Sequence, residues 1–334
     1  MKTDIAIIGA GPIGIFGAFQ AGMLGMQSCV IDALDSIGGQ CSALYPEKPI
    51  YDIPAYPNIL AQDLIGNLVI QAKPFKPNYL LSRQVTSLKR INDNSFIIGT
   101  SKGDAIKAKA VIIAAGAGAF DFKKPPLENI KSYEGKSVFY SVTKKDDFAD
   151  NKILIAGGGD SALDWAISLS EIAEVTLLHR RDKFRAAPAT VKKMRELVSN
   201  NKIKLVTGFQ LHALDGDNGK LRQVSVSDLD GNIKNIETEI LLPFFGLSQD
   251  LSVIESFGIE MKNHHIKADY PYFETNLEGV YAVGDVASYS GKLKLILTGF
   301  AEMASALHHA YGRVFDGKAL HFEYSTTKGI HTAK

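Results

Sequence analysis

The feature that most restricts this chain is a pattern that occurs twice: an aliphatic run, a glycine-rich turn and a helix-forming run. The first copy is "TDIAIIGAGPIGIFGAFQAGMLG", with Gly9, Gly11 and Gly14 in G-x-G-x-x-G spacing. The second is "NKILIAGGGDSALDWAISLSEIAEVTLLHRR", with Gly157, Gly159 and Ala162 in G-x-G-x-x-A spacing. Another short apolar run follows each helix, "SCVIDA" in the first copy and "EVTLLH" in the second. Strand, tight turn, helix and second strand make a βαβ unit with its strands parallel. The chain is therefore expected to be α/β, with two Rossmann-like three-layer domains.

Each glycine has its own task. Gly9 permits the tight turn, Gly11 lets the backbone approach a pyrophosphate, and Gly14 lets helix and strand pack closely. The helix N-terminus then turns its free N–H groups toward the phosphates. The two copies part company at the end of the second strand. The first ends at Asp32, whose carboxylate suits a free ribose 2′-hydroxyl. The second ends at His179, Arg180 and Arg181, with Arg185 close behind. Guanidinium groups there suit a 2′-phosphate through charge-assisted hydrogen bonds. The simplest pairing is FAD in the first cradle and NADPH, rather than NADH, in the second. Trp165, within the second helix, reads as packing.

A third signal lies near the C-terminus. "GVYAVGD" reads as an apolar strand ending at Gly284-Asp285, followed by a loop and a helix from near Thr298. An Asp at a strand end can accept hydrogen bonds from the ribityl hydroxyls of a flavin. A helix N-terminus can face the flavin's N1/O2 edge, where negative charge builds on reduction. Because the second cradle lies between this signal and the first, the FAD domain is expected to be discontinuous, 1–116 plus 247–334. The NADPH domain, 117–246, is then an insertion, entered and left through "AAGAGAF" and "PFFGLSQD". Before the first joint, "LLSRQVTSLKRINDNSFIIGTSKGDAIKAKAVIIAAG" alternates as antiparallel strands do.

Composition narrows the class further. With 46% hydrophobic and 22% charged residues the chain belongs with globular proteins, and a net charge of +1 gives no general attraction to nucleic acid or membranes. No apolar run reaches the roughly 18 residues of a membrane span. The N-terminus lacks a basic leader and a small-residue cleavage site, so a cytoplasmic location is expected. The two cysteines, Cys29 and Cys41, make no disulfide framework. His308-His309 reads as helical and His264-His265 as a loop; adjacent histidines do not share a helix face, so no metal site is expected.

GAGPIG, GGQ, GGGDSA, HRRDKFRA and GVYAVGD together resemble the two-dinucleotide flavoprotein reductases with the thioredoxin-reductase domain plan, over nearly the whole chain. Thioredoxin reductases carry C-x-x-C just before the second glycine loop. Here that interval reads "FYSVTKKDDFADNKILIAGGG", with Ser141 and Val142 about where the thiols would be. Dithiol chemistry is therefore disfavoured. "GGQCSALYPEKPIYDIPAYP" and the tail "HFEYSTTKG" resemble the thioredoxin-reductase-like ferredoxin/flavodoxin–NADP⁺ reductases. That resemblance implies a ring on each flavin face, Tyr45 on one and Tyr324, from the C-terminal tail, on the other. It further implies FAD contacts from Asp32, Gln40, Val85, Phe120, Asp285 and Thr326, and a homodimer.

The implied reaction passes a hydride from NADPH to flavin N5 and then single electrons, reversibly, to ferredoxin or flavodoxin. The cofactor carries the chemistry, and no side chain is expected as acid or base. Acidic carriers would meet candidate docking charges at Lys73, Lys76, Lys123, Lys124, Lys144 and Lys145. Two alternatives stay open: an NADPH oxidase or diaphorase serving oxygen, quinone or another small acceptor, and a nucleotide-sensing flavoprotein without turnover.

Overall fold

The computed structural model describes residues 1–92, 94–116 and 118–320, with the side chains of residues 119–121 and 247–249 left aside. The chain forms two compact units, Met1–Phe120 with the chain from Gln249 onward, and Asp121–Ser248.

In the first unit, strand Ile5–Ile8 sits inside a five-stranded parallel sheet. Ser28–Ile31 and then Asn78–Leu80 lie on one side, and Ala110–Ile113 and then Val280–Ala282 on the other. Ile5 is level with both Ser28 and Ala110. Strands buried on both faces need no alternation of polar and apolar residues, and Ile5–Ile8, Ser28–Ile31 and Ala110–Ile113 are buried at every position. Helix Pro12–Met23 opens with proline at its first turn and packs on helices Ala61–Ala72 and Ile296–Val314. The alternating segment forms a three-stranded antiparallel sheet of Val85–Asn92, Ser95–Thr100 and Ala105–Ala108.

The second unit repeats the plan on a smaller scale. Its parallel sheet runs Ile203–Thr207, Glu174–His179, Lys152–Ala156, Ile240–Pro243. Helices Asp160–Leu169 and Pro188–Ser199 accompany it, and Trp165 is buried. A second, antiparallel sheet comprises Gln210–Asp217, Lys220–Ser227 and Ile233–Glu237. In both units the strand before the glycine turn is flanked on either side by later strands. The connection order reverses there, which leaves a crevice at the strands' C-terminal ends. The crossover strands Ala119–Phe122 and Leu247–Asp250 are hydrogen-bonded neighbours in a two-stranded sheet.

Two local expectations shift. The helix placed near Thr298 begins at Ile296, because Leu295 is already extended and the Thr298 hydroxyl donates to the carbonyls of Leu293 and Leu295. His264-His265 is not all loop: His264 is left-handed, and His265 opens strand His265–Lys267.

Candidate functional site

The crevice of the first unit is a cavity of about 380 Å³, within the range of small-molecule sites. Gly9, Gly11, Asp32, Gln40, Tyr45, Val85 and Asp285 all line it. Gly9 has a positive φ of 111°, and a Cβ there would overlap the Ala114 carbonyl oxygen. A Cβ on Gly14 would overlap the carbonyl oxygen of Gly9, so helix and strand touch backbone to backbone. Gly11 differs. A Cβ there would meet nothing within 4 Å, because it would project into open space. As N-cap of helix Pro12–Met23, Gly11 adds no capping side chain, and the first N–H groups of the helix are left for a ligand.

Asp32 leaves its strand with the carboxylate accepting N–H groups from Ala10 and, at 2.8 Å, from Leu34. Burial raises its pKa above the ordinary carboxylate value, and those two hydrogen bonds oppose the rise. Gln40 opens a short helix, Gln40–Ala43, after left-handed Gly38 and Gly39. Tyr45 is a half-buried ring packed on the core, its hydroxyl 3.9 Å from the Cys41 sulfur. Burial pushes the Tyr45 hydroxyl well above its usual range and the Cys41 thiol up to about 11, so Cys41 is a neutral thiol. The Phe120 side chain, Tyr324 and Thr326 lie outside the described residues.

Sequence reading missed two features of this site. Arg83 lines the cavity beside Asp32, with Nε donating to Asp104 at 2.9 Å and Nη1 to the Leu81 carbonyl at 2.7 Å. Glu302, only 2% exposed, lies behind Asp285. Its carboxylate accepts the Gly284 N–H at 2.7 Å, the Tyr289 hydroxyl at 2.7 Å, and the ammonium of Lys292 in a buried ion pair.

In the second unit the glycine turn is built on the same plan, although Gly157, unlike Gly9, does not have a positive φ. A Cβ on Gly157 would come within 2.8 Å of the Phe244 carbonyl oxygen, while one on Gly159 would meet nothing. Gly159 caps helix Asp160–Leu169 without a side chain. The arginine loop is tied across this turn by the Arg185 N–H to Gly158 O and the Ala187 N–H to Asp160 Oδ1, both 2.8 Å. Arg180, Arg181 and Arg185 are exposed. Their charges, together with burial as the larger cause, lower the pKa of His179. His179 itself does not stand among the exposed groups. Its ring lies against Gly158, where a Cβ would overlap it, and stacks on Phe184 at 5.2 Å. Before the turn, Val142 is buried and Ser141 half-buried.

A model of the pyridine nucleotide-disulphide oxidoreductase family matches residues 3–303, and the chain belongs to that family. It is an oxidoreductase. Among relatives, it is 61% identical over 328 residues to a protein of Rickettsia akari (strain Hartford) named ferredoxin–NADP reductase, covering 98% of each chain. A protein of the same name from Rickettsia bellii (strain OSU 85-389) is 58% identical, again with 98% of each chain covered. Among solved structures, thioredoxin reductase of Lactococcus lactis in its FR conformation aligns with a TM-score of 0.79 at 25% identity. The alignment spans 94% of this chain and 99% of that one. Thioredoxin reductase of T. acidophilum gives the same TM-score, identity and coverage. Among the described residues, no helix is long and apolar enough to cross a membrane.

Proposed function

We propose that this chain is an FAD-dependent NADPH oxidoreductase that exchanges electrons with ferredoxin or flavodoxin. The observation that carries the reading is the opposite chemistry at two otherwise matching cradles. A half-buried carboxylate, Asp32, closes the first, and three exposed guanidinium groups close the second. The similarity to relatives named ferredoxin–NADP reductase supports the choice of carrier.

The first cavity suits FAD. Gly11 keeps clear the space that a pyrophosphate needs, and Asp32 retains acceptor capacity for a ribose hydroxyl. In this reading Gln40 and Val85 line the dinucleotide, Tyr45 covers one flavin face, Asp285 accepts from the ribityl chain, and Phe120, Tyr324 and Thr326 complete the contacts. Bound flavin supplies the redox chemistry, taking a hydride from NADPH and giving up single electrons. The chain positions, stacks and shields. In the second unit Gly157, Gly159 and Ala162 form the pyrophosphate turn, and Arg180, Arg181 and Arg185 take the 2′-phosphate. His179 supports the turn from beneath.

Docking of an acidic carrier falls to fewer lysines than composition suggests. Lys124 pairs with Glu134, Lys145 with Glu171 and, at 3.9 Å, Lys144 with Asp147. Lys73, Lys76 and Lys123 are the better candidates. A homodimer is part of the proposal, supported by exposed apolar side chains in the first unit, among them Tyr270, Tyr272, Leu293 and Leu297. Light scattering tests it. The function is tested by steady-state NADPH oxidation with ferredoxin, flavodoxin and oxygen offered separately. Fast turnover with either carrier supports the proposal. Turnover with oxygen or quinone alone would make the protein an oxidase or diaphorase, and flavin that NADPH does not bleach anaerobically would make it a sensor.

A further inference from the structure

Resting on the FAD reading above, we propose that Glu302 is a positioning residue that fixes the Asp285 carboxylate for the cofactor, with Lys292 paired to it. Asp285 sits in a single tight turn, Gly284–Val286, at the end of strand Val280–Ala282. Gly284 is left-handed, with φ 73°. One side of this turn rests on the cradle helix, for a Cβ on Gly284 would come within 2.7 Å of Ile13 Cδ1. On the other side the Gly284 N–H is held by Glu302. The turn is therefore clamped from both sides, and the residue it presents to the cavity is Asp285.

The chemistry of the clamp indicates its purpose. Glu302 is 2% exposed and the Lys292 side chain 9%, so both charges are taken out of water. A well-packed apolar pair of similar volume is generally at least as stable as a buried ion pair. Stability alone gives no reason for charge here. What an apolar side chain cannot do is accept the N–H of Gly284. A carboxylate can, and it can take the Tyr289 hydroxyl with its other oxygen at the same time. Tyr289 in turn packs on Phe273 at 5.1 Å, which ties the loop before helix Ile296–Val314 to the same point. Helix, loop and turn thus meet at one carboxylate directly behind a cavity wall.

The test uses apo-protein freed of FAD. It reads FAD affinity by flavin fluorescence titration and fold stability by the melting temperature of the same apo-protein. Glu302→Gln, which leaves one carbonyl acceptor and removes the charge, is expected to raise the FAD Kd about tenfold. Lys292→Met/Glu302→Leu is expected to fold, melting lower by the cost of the unpartnered Gly284 N–H and Tyr289 hydroxyl, and to lose affinity at least to a similar extent. If Glu302→Gln does not fold, this paired variant gives the answer. The Glu302→Gln loss should shrink to under about twofold in an Asp285→Asn background, because the effect runs through Asp285. Unchanged FAD affinity, an equal loss in both backgrounds, or a paired variant that no longer folds would each overturn the assignment. A parent protein that takes up no FAD would instead sink the cofactor reading, and this inference with it.

Discussion

Gly11→Ala and Gly14→Ala lie three positions apart in one glycine motif, at the cap and in the first turn of helix Pro12–Met23, and should fail in opposite ways. At Gly14 the added methyl overlaps the carbonyl oxygen of Gly9, and that atom is backbone held in the turn, so helix and strand must separate. Overpacking of this kind costs typically 1–3 kcal/mol, and a backbone-to-backbone clash belongs at about 3. At about 2–4 °C per kcal/mol for domains of this size, the apo-protein should melt about 6–12 °C lower. At Gly11 the backbone is ordinary, φ −68° and ψ 179°, and the methyl meets nothing within 4 Å. The folding cost is then only the poorer N-cap, about 0.5–1 kcal/mol. The same methyl occupies the space reserved for a pyrophosphate, and the FAD Kd should rise at least tenfold, about 1.4 kcal/mol. Melting curves of apo-protein and FAD titrations of both variants separate the two effects. If Gly11→Ala binds FAD like the parent, or melts as low as Gly14→Ala, the division of labour argued for this loop is wrong.

Three further expectations follow from the same geometry. Burial raises the pKa of Asp32, so the folded apo-protein holds that proton more tightly than the unfolded chain. The group favours folding below its unfolded pKa of about 3.9, and the contribution is lost as pH rises through the folded value. A ribose hydroxyl favours the ionised carboxylate, so FAD affinity should increase with pH through the same window. Asp32→Asn should flatten that dependence, and parallel profiles would contradict it. Arg181→Gln or Arg185→Gln should raise the KM for NADPH about 10–100-fold and leave NADH nearly unaffected, by the loss of one charge-assisted hydrogen bond; equal effects on both nucleotides would remove the arginines from the 2′-phosphate. Ending the chain after Phe322 removes Tyr324 and Thr326, and stopped-flow flavin reduction by NADPH should change several-fold; identical traces would refute a role for the tail.

The parts of the site that could be read from sequence are those in which a backbone demand forces a residue type at fixed spacing. Gly9 and Gly14 are such cases, since their Cβ positions are filled by neighbouring backbone. Asp32 and the arginines follow because the end of the second strand has a fixed place beside the turn. Contacts between distant segments were hidden. Arg83 meets Asp104 across 21 positions, and Glu302 meets Gly284 across 18. One clue to Glu302 was present: it shares the buried stripe of its helix with Gly299, Met303 and Ala306, where an acid is out of place unless partnered. His179 shows what position alone leaves out. Sequence grouped it with its basic neighbours, and the structure adds that its half-buried ring lies against Gly158 and stacks on Phe184. The lysines are a related case, since a sequence shows charges without the acids that pair with Lys124, Lys144 and Lys145.

The two crossover strands, Ala119–Phe122 and Leu247–Asp250, run side by side. A module whose entry and exit adjoin behaves as a cassette. Excising it leaves a gap that a few residues can bridge, and grafting in a foreign module needs no stretching of the host. Evolution could exchange the second unit while the first kept its parallel sheet unbroken.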